Sequence, residues 1–241
     1  MLRGPQREQV DVSFAIPSAC ARDVTEERVQ IGLVPVAEIA RQGLEIVPGV
    51  GISCRGTVRS ILLLSRVPWK KVRILAADLG SRTSVELARV ILRERYGVEP
   101  AIVLHEPILR EMLATAEAAL IIGDPALRIA PEQLPFECLD LGAEWLAHTG
   151  LPMVFAAWAG KPGIPIEFLG SITNGSYEFS KPQIHQIVEQ ESAKRQISKD
   201  LARRYLTEYI RFELGPDEYR GLQSFLELAN LSPRGTLAAR T

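Results

Sequence analysis

Hydrophobic and polar positions follow two alternating periods along the first 180 residues. Residues 10–16, VDVSFAI, alternate singly, which is typical of a strand. The other predicted strands are the apolar runs VQIGLVPV, VRILAAD, PAIVLHE, ALII, FECLDLG and MVFAAWAG. Helical spacing follows most of them, first at PSACARDVTEER and at greatest length over residues 83–96. This alternation predicts an α/β fold with buried, parallel-type strands.

Two further stretches complete the predicted organisation. Residues 44–66 form two extended segments around a glycine-rich bend. From Lys181 onward the apolar spacing becomes helical, and Pro182 and Pro216 stand near predicted helix starts, where proline is tolerated. This helical tail must pack on the first part of the chain, which predicts a discontinuous lobe.

Composition excludes several classes of function. The 241 residues carry 28 Lys and Arg against 29 Asp and Glu, so the basic excess of a nucleic-acid-binding protein is missing. No apolar run approaches the roughly 18 residues of a membrane span. The opening MLRGPQREQVDVSF has no apolar core of a secretion signal. We therefore expect a cytoplasmic protein that binds neither nucleic acid nor membrane.

The cysteines and histidines give no metal or disulfide pattern. Three of each are scattered singly: Cys20, Cys54, Cys138, His105, His148 and His185. An odd, sparse set of cysteines fits a reducing compartment. No spacing suits a zinc site, so we expect no metal.

The first candidate site is the start of the helix after VRILAAD. Ser81, Arg82, Thr83 and Ser84 stand together there, and Thr83 with Glu86 has the spacing of a capping box. A helix N-terminus offers N–H groups to an anion, and an arginine can add a bidentate carboxylate contact. The alternative is that the hydroxyls only cap the helix.

The second candidate lies in residues 51–65, GISCRGTVRSILLLS. Ser53, Arg55 and Ser60 are polar groups between apolar segments, and Gly56 permits close approach of a ligand to the backbone. Ser60 directly precedes ILLL, so a half-buried hydroxyl there needs a hydrogen-bond partner. The alternative is a hairpin with an exposed Arg55.

The third candidate is Gly123-Asp124 after the apolar run ALII. The pair is an ordinary turn signal, and Asp124 can simply cap the next segment. Ligands of open α/β sheets bind at strand ends. Together the three groups predict a cleft for a small carboxylated molecule.

In order and spacing, the motifs resemble the chorismate dehydratase family, which acts first in the futalosine route to menaquinone. The resemblance rests on the following segments: IGLVPVAEI, GISCRGTVRSILLLSRVP, SRTSVELARVIL, ALIIGDPALR, DLGAEWLAHTGLPMVFAAWAG and RRYLTEYIRFELGPDEYRGLQSFLELA. They span nearly the whole chain.

The resemblance implies a fold and a reaction. The fold would have two α/β lobes like type II periplasmic binding proteins, with a ligand cleft between the lobes and a helical C-terminal tail. Residues 1–65 and 156–241 would form lobe 1, and residues 66–155 lobe 2. The reaction would remove water from chorismate to give 3-[(1-carboxyvinyl)oxy]benzoate. It would use no cofactor, and a homodimer is left open.

The resemblance also implies roles for the candidate residues. Ser60 matches the family serine at the reacting ring and is expected to be catalytic. The expected substrate-binding residues are Ser53, Arg55, Gly56, Arg82, Thr83, Ser84, Gly123 and Asp124. Donors at the start of the helix, from Arg82 to Ser84, would stabilise the dienolate that forms when the ring proton leaves.

One departure from the family pattern lies at the start of the chain. Family members open with a strand and turn that end in Phe/Tyr-Leu-Asn, and that asparagine is regarded as catalytic; nothing here matches it. We expect a start codon placed too far downstream, a fragment, or a member that has lost the chemistry. The remaining alternatives are a non-catalytic carboxylate-binding protein and the related later-pathway naphthoate synthase.

Overall fold

The computed structural model describes residues 4–78, 80 and 82–231. The strands are β1 (Ile31–Pro35), β2 (Glu45–Cys54), β3 (Ile61–Ser65), β4 (Ile74–Asp78), β5 (Ala101–His105), β6 (Ala118–Ile122), β7 (Glu137–Asp140), β8 (Met153–Gly160) and β9 (Arg211–Glu213). The α-helices are α1 (Pro17–Thr25), α2 (Val36–Gln42), α3 (Arg82–Ile91), α4 (Leu109–Thr115), α5 (Gly123–Arg128), α6 (Leu141–Thr149), α7 (Ile166–Ser180), α8 (Ile184–Glu191), α9 (Lys199–Arg204) and α10 (Pro216–Leu228). Two π-helical turns, Leu92–Tyr96 and Tyr205–Tyr209, extend α3 and α9.

The strands form two sheets, which confirms the predicted mixture of helices and sheet. The first sheet has the order β1-β8-β2-β9 and the second the order β5-β4-β6-β3-β7. The chain passes from the first sheet to the second between β2 and β3 and returns between β7 and β8. The predicted lobe limits at residues 65 and 155 fall at the end of β3 and inside β8, and the division into lobes stays a prediction.

The expectation of parallel strands was correct for only part of the fold. In the described sheets, β4 pairs in parallel with β5 and β6, and every other pairing is antiparallel. The apolar run of β3 is buried along its whole length because β6 and β7 flank it and the two core clusters cover it. The apolar run of β3 thus indicates burial on both faces rather than parallel pairing. Burial was wrongly predicted for β5, an edge strand in which Val103 is 38% and Leu104 57% exposed.

The predicted strand at residues 10–16 was wrong. This segment has no regular secondary structure and pairs with no strand in the described part of the chain. Phe14 is 81% exposed and Ile16 66% exposed, so the alternation has no sheet to pack on. A strand needs a ladder partner, and single alternation alone does not supply one. Helix α1 then begins at Pro17, as predicted.

The predicted capping box at the start of α3 was also wrong. The helix already includes Arg82, so Thr83 lies inside its first turn rather than at the N-cap. The Thr83 hydroxyl accepts a hydrogen bond from the Ala37 N–H at 3.3 Å. The Glu86 carboxylate pairs with Arg41 of α2 instead of returning to the helix start. The side chains of Thr83 and Glu86 therefore connect α3 to α2.

The core connects both sheets with the C-terminal helices. Trp145 of α6 meets Phe225 of α10 edge to face, with ring centroids 6.1 Å apart, and both rings are fully buried. Helix α10 also packs on β8, and the short β9 pairs with β2. The predicted helical tail is confirmed at α8, α9 and α10, but residues 211–213 were wrongly predicted as helix: they form β9 because they pair with β2, and the tail closes on the first sheet. No helix in the described ranges is long and apolar enough to cross a membrane.

Candidate functional site

Polar candidates gather at one edge of the second sheet. Ser60 stands just before β3, while Gly123 follows β6 and Asp140 ends β7, and the strand registers bring these three positions side by side. The end of β4 lies at the same edge because β4 and β6 run parallel, and α3 begins beyond it. We call this set, with the start of α3, the polar edge.

The polar edge faces the first sheet. Helix α2 begins directly after β1 of the first sheet, and its Ala37 N–H reaches the Thr83 hydroxyl of α3. Thr83 and Ser84 are buried, whereas Arg82 is exposed. Ser81 lies outside the described residues. The start of α3 is thus at the junction between the two sheets, where a ligand cleft was predicted.

Ser60 has a buried hydroxyl and stands at the start of β3. It is 4% exposed, and its hydroxyl oxygen lies 3.1 Å from the Tyr205 hydroxyl oxygen. Its carbonyl accepts the Gly123 N–H at 2.8 Å, and its own N–H donates to the Val58 carbonyl at 2.7 Å. The backbone of Ser60 is therefore held from two sides, and the predicted need for a hydroxyl partner is met.

Asp140 builds the turn that carries Ser60. Its carboxylate accepts the N–H groups of Val58 at 3.0 Å and Arg59 at 2.6 Å. It also caps α6 by accepting the N–H groups of Gly142 at 3.0 Å and Ala143 at 3.1 Å. One carboxylate thus ties the turn before β3 to a helix N-terminus, where negative charge is favoured.

Arg59 connects the same turn to α5. Its φ of +64° is in the left-handed region, which is costly for a side chain other than glycine. The guanidinium donates to the Ala126 carbonyl at 2.9 Å and also to the Ile129 carbonyl. These contacts satisfy carbonyls at the end of α5, which carries Gly123 and Asp124 at its start.

Asp124 is engaged by another side chain. Its carboxylate lies 3.0 Å from the Arg195 guanidinium, and both groups are partly exposed. Gly123 has a φ of +65° and is the first residue of α5, so the predicted turn is the start of a short helix. Substrate binding by the two residues stays a prediction.

The other candidates of the second group lie along β2 and the bend after it. Ser53 is fully buried, and its hydroxyl donates to the Arg211 carbonyl of β9 at 3.3 Å. Arg55 is exposed and pairs with Asp217 of α10 at 2.9 Å. Gly56 has a φ of +111°, which favours glycine at this bend. Their roles toward a ligand stay predictions, since Ser53 and Arg55 already have protein partners.

Tyr205 is the residue at this site that sequence reasoning missed. It opens the π-helical turn after α9 and packs against the core. Burial raises the pKa of its phenol, and the negative charge of Asp124 acts in the same direction. The surrounding sequence ARRYLTEY has ordinary helical spacing, so it gave no signal that one tyrosine reaches Ser60.

Cys54 lies beneath the bend but is not a nucleophile. Burial is the main cause that raises the pKa of its thiol to about 12, and Asp140 adds to the effect. A protonated, fully buried thiol is unreactive at neutral pH. In the described ranges, no three His, Cys, Asp or Glu side chains are grouped to hold a metal ion.

Comparison with protein families gives one match over almost the whole chain. The family described as menaquinone biosynthesis matches residues 2–231. Chorismate dehydratase of Thermus thermophilus is 26% identical over 238 residues, which cover 91% of this chain and 87% of that protein. Chorismate dehydratase of Campylobacter jejuni is 25% identical over 222 residues, with 92% and 84% covered.

Solved structures share the fold at low sequence identity. Protein AF1704 of Archaeoglobus fulgidus superposes with a TM-score of 0.68 at 18% identity, covering 92% of this chain and 89% of that one. The periplasmic aliphatic sulphonate binding protein SsuA of Escherichia coli gives a TM-score of 0.57 at 12% identity, with 94% and 83% covered. This chain therefore has a two-lobed fold like that of periplasmic binding proteins.

Proposed function

The chain belongs to the menaquinone biosynthesis family, and we propose that it is a chorismate dehydratase. The reaction removes water from chorismate and gives 3-[(1-carboxyvinyl)oxy]benzoate, the first step of the futalosine route. The observation that carries the proposal is the polar edge, where Ser60, Gly123 and the start of α3 lie together at the junction of the two sheets. The similarity to two named chorismate dehydratases supports it.

The reaction requires a site that stabilises the anion formed when the ring proton leaves. A ring proton leaves from the carbon vinylogous to the ring carboxylate, and the electron pair delocalises onto that carboxylate as a dienolate. Hydroxide then leaves the neighbouring carbon, takes up a proton as water, and the ring becomes aromatic. Groups that donate hydrogen bonds to the carboxylate lower the barrier of the first step.

The start of α3 suits this carboxylate. Its N-terminal backbone carries a partial positive charge, and the exposed Arg82 adds a full charge beside it. Arg55 is the second candidate cation, although its present partner is Asp217. We propose that Ser60 donates a hydrogen bond at the reacting ring, since its hydroxyl is buried and its backbone is held.

The location proposed for this activity is the cytoplasm, where its substrate would be made. The lobes proposed from the sequence, residues 1–65 with 156–241 and residues 66–155, would close on the substrate. No cofactor takes part in the steps given above.

The test is incubation of the 241-residue chain with chorismate, followed by liquid chromatography and mass spectrometry of the product. We expect the aromatic, dehydrated ether above the uncatalysed background. Ser60→Ala should lower kcat about 100-fold. Ser65→Ala is its matched control, because Ser65 is equally buried at the opposite end of β3 and bonds to the Val67 carbonyl.

Two further outcomes separate the alternatives. Folded protein that binds chorismate without product would be a non-catalytic carboxylate-binding protein. Protein that does not convert chorismate but converts a futalosine-derived naphthoate precursor would be the later-pathway enzyme. Arg55→Ala and Asp217→Ala distinguish a ligand-binding arginine from a surface ion pair, since only the first change should raise KM.

A further inference from the structure

We propose that Tyr205 is a positioning residue of this site: its phenol donates a hydrogen bond to the Ser60 oxygen, which leaves the Ser60 proton to point at the substrate. The inference rests on the proposed dehydratase function. It begins with one contact, the 3.1 Å separation of the two hydroxyl oxygens. Neither the family match nor the named relatives assigns a role to Tyr205.

The 3.1 Å geometry permits donation by either hydroxyl, and the proposed direction is the one that leaves the Ser60 proton for the substrate. A serine hydroxyl has one proton and two lone pairs, and a phenol has the same single proton to donate. If Ser60 donated to Tyr205, the phenol proton would need another acceptor. Within the described residues, the Tyr205 hydroxyl has no hydrogen-bond partner other than Ser60. Donation by Tyr205 satisfies the phenol and leaves the Ser60 proton unused.

Ser60 itself has little freedom to reorient. Its N–H and carbonyl are both bonded, to Val58 and Gly123, and Asp140 holds the preceding N–H groups. The orientation of the Ser60 hydroxyl then depends only on rotation about its side-chain bonds. A fixed donor on one side of the oxygen restricts where the serine proton can lie, so the proton is pre-oriented before substrate arrives.

The π-helical turn Tyr205–Tyr209 sets the orientation of the tyrosine. π-helical turns are rare and occur frequently at functional sites. This one follows α9 directly and places Tyr205 against the core, while Tyr209 stacks on the Arg204 guanidinium at 5.1 Å. The turn therefore carries two tyrosines in different environments, and only one of them reaches Ser60.

The electrostatic surroundings keep the phenol protonated. Burial raises the pKa of Tyr205, and the negative charge of Asp124 from α5 raises it further; the hydrogen bond with Ser60 acts in the opposite direction. Asp124 is itself paired with Arg195. A neutral phenol is the form that can donate, so the proposed orientation holds through the neutral pH range.

The decisive variant is Tyr205→Phe, which removes the oxygen and keeps the ring. With chorismate as substrate, kcat should fall about 10- to 100-fold while KM changes less than about threefold, since only the orientation of a catalytic donor is lost. Tyr209→Phe is the matched control, because it deletes a phenol from the same turn without touching Ser60. Its kinetic constants should equal those of the wild type.

The Ser60→Ala background tests whether the effect passes through Ser60. If Tyr205 only orients that serine, adding Tyr205→Phe to Ser60→Ala should lower kcat no further. A purely structural tyrosine would lower activity equally in both backgrounds. Thermal melting of all variants accompanies the kinetics, so that loss of folding is not read as loss of positioning.

A pH profile tests the same hydrogen bond, and a fluorinated tyrosine tests it without loss of the ring or the hydroxyl. Ionised Tyr205 has no proton to donate and would accept a hydrogen bond from Ser60, which turns the Ser60 proton away from the substrate, so kcat should decline on the alkaline side. Site-specific 3-fluorotyrosine at position 205 ionises at lower pH and should move this decline to lower pH. Tyr205→Phe should abolish it.

The outcomes are distinct. A wild type that converts chorismate, with Tyr205→Phe equally active or with additive losses in the double variant, overturns the positioning role and leaves the proposed function standing. An unmoved alkaline decline with fluorotyrosine does the same. A folded wild type that does not convert chorismate overturns the proposed function, and the role of Tyr205 falls with it.

Discussion

The carboxylate of Asp140 accepts the N–H of Arg59 at 2.6 Å and holds that residue in a left-handed conformation. This one contact joins the end of β7 to the turn that precedes β3. The adjacent residue is Ser60, the candidate catalytic group. The backbone before Ser60 is thus set by a residue 80 positions later in the chain.

Removal of the Asp140 carboxylate should loosen both the turn and α6. Asp140→Ala leaves two turn N–H groups and the cap of α6 without their acceptor, and we expect a loss of about 2–3 kcal/mol in the free energy of unfolding. The Ser60 turn should shift, so kcat should fall as well. Urea unfolding and steady-state kinetics measure the two effects.

Asp140→Asn should have a smaller effect than Asp140→Ala. One carboxylate oxygen accepts three of the four N–H groups, and the other oxygen accepts only that of Arg59. The amide oxygen of asparagine can replace the oxygen that accepts three N–H groups. Its NH₂ group would face the Arg59 N–H, and two donors cannot form a hydrogen bond with each other. Equal losses for the two variants would contradict this account of the site.

At Arg59, glycine should be a better replacement than alanine. Both changes lose the guanidinium contacts to Ala126 and Ile129, but only alanine keeps the strain of a φ of +64°. We expect Arg59→Gly to be more stable than Arg59→Ala by about 0.5–1 kcal/mol, after the greater unfolded-state entropy of glycine is allowed for. Chemical denaturation of the two variants gives the difference, and an alanine variant of equal or greater stability would show that the backbone is unstrained.

Two helical glycines should respond in opposite ways to substitution by alanine. A Cβ at Gly142 of α6 would lie 2.4 Å from the Gly56 carbonyl oxygen and 2.6 Å from the Cys54 sulfur. Gly142→Ala should therefore cost about 1–3 kcal/mol. A Cβ at Gly170 of α7 would meet nothing nearer than 3.7 Å.

Gly170→Ala is the matched control for this close approach. Its higher helix propensity should add about 0.5–1 kcal/mol to stability. Thermal melts of both variants are the measurement. Stabilisation by both changes would mean that the contact between α6 and the bend at Gly56 is looser than the structure has it.

The buried thiol of Cys54 should make the fold sensitive to alkali. Its pKa is raised from 9.0 to about 12, so the unfolded chain ionises this thiol at lower pH than the folded chain does. The stabilisation from a raised pKa is complete below pH 9 and declines as pH rises toward 12. Between pH 9 and 10 the free energy of unfolding should fall by up to about 1.4 kcal/mol from this group.

Cys54→Ser isolates that contribution. The hydroxyl does not titrate in this range and can still accept the backbone hydrogen bonds from Met153 and Gly56. Urea unfolding at pH 8 and pH 10 should show a smaller alkaline loss for Cys54→Ser than for the wild type. If the two proteins lose the same stability, the alkaline loss arises elsewhere.

Many helices and strands could be predicted from the sequence because their signals are local. Gly43 ends α2 in the left-handed conformation that glycine adopts readily, and Pro17 begins α1. The apolar run of β3 is buried throughout. Each of these outcomes depends on residues within a few positions, so the physical cause is contained in the segment itself.

Two local patterns were misleading, for the same reason. Residues 10–16 alternate like a strand but pair with no described strand. Thr83 has capping-box spacing, yet its hydroxyl accepts the N–H of Ala37. Both outcomes depend on whether a hydrogen-bond partner from elsewhere in the chain is present: no described strand pairs with residues 10–16, whereas Ala37 donates to Thr83. The sequence of the segment carries no information on this.

The sequence by itself determined which residue types stand at the strand ends, including Ser60, Gly123 and the start of α3. Only the tertiary structure decided that β3, β6 and β4 bring them to one edge, that Asp140 holds the turn, and that Tyr205 reaches Ser60 across 145 positions of the chain. Hydrogen bonds act over about 3 Å in space. Chain topology therefore decides which distant residues meet at the site, and a periodic pattern cannot specify it.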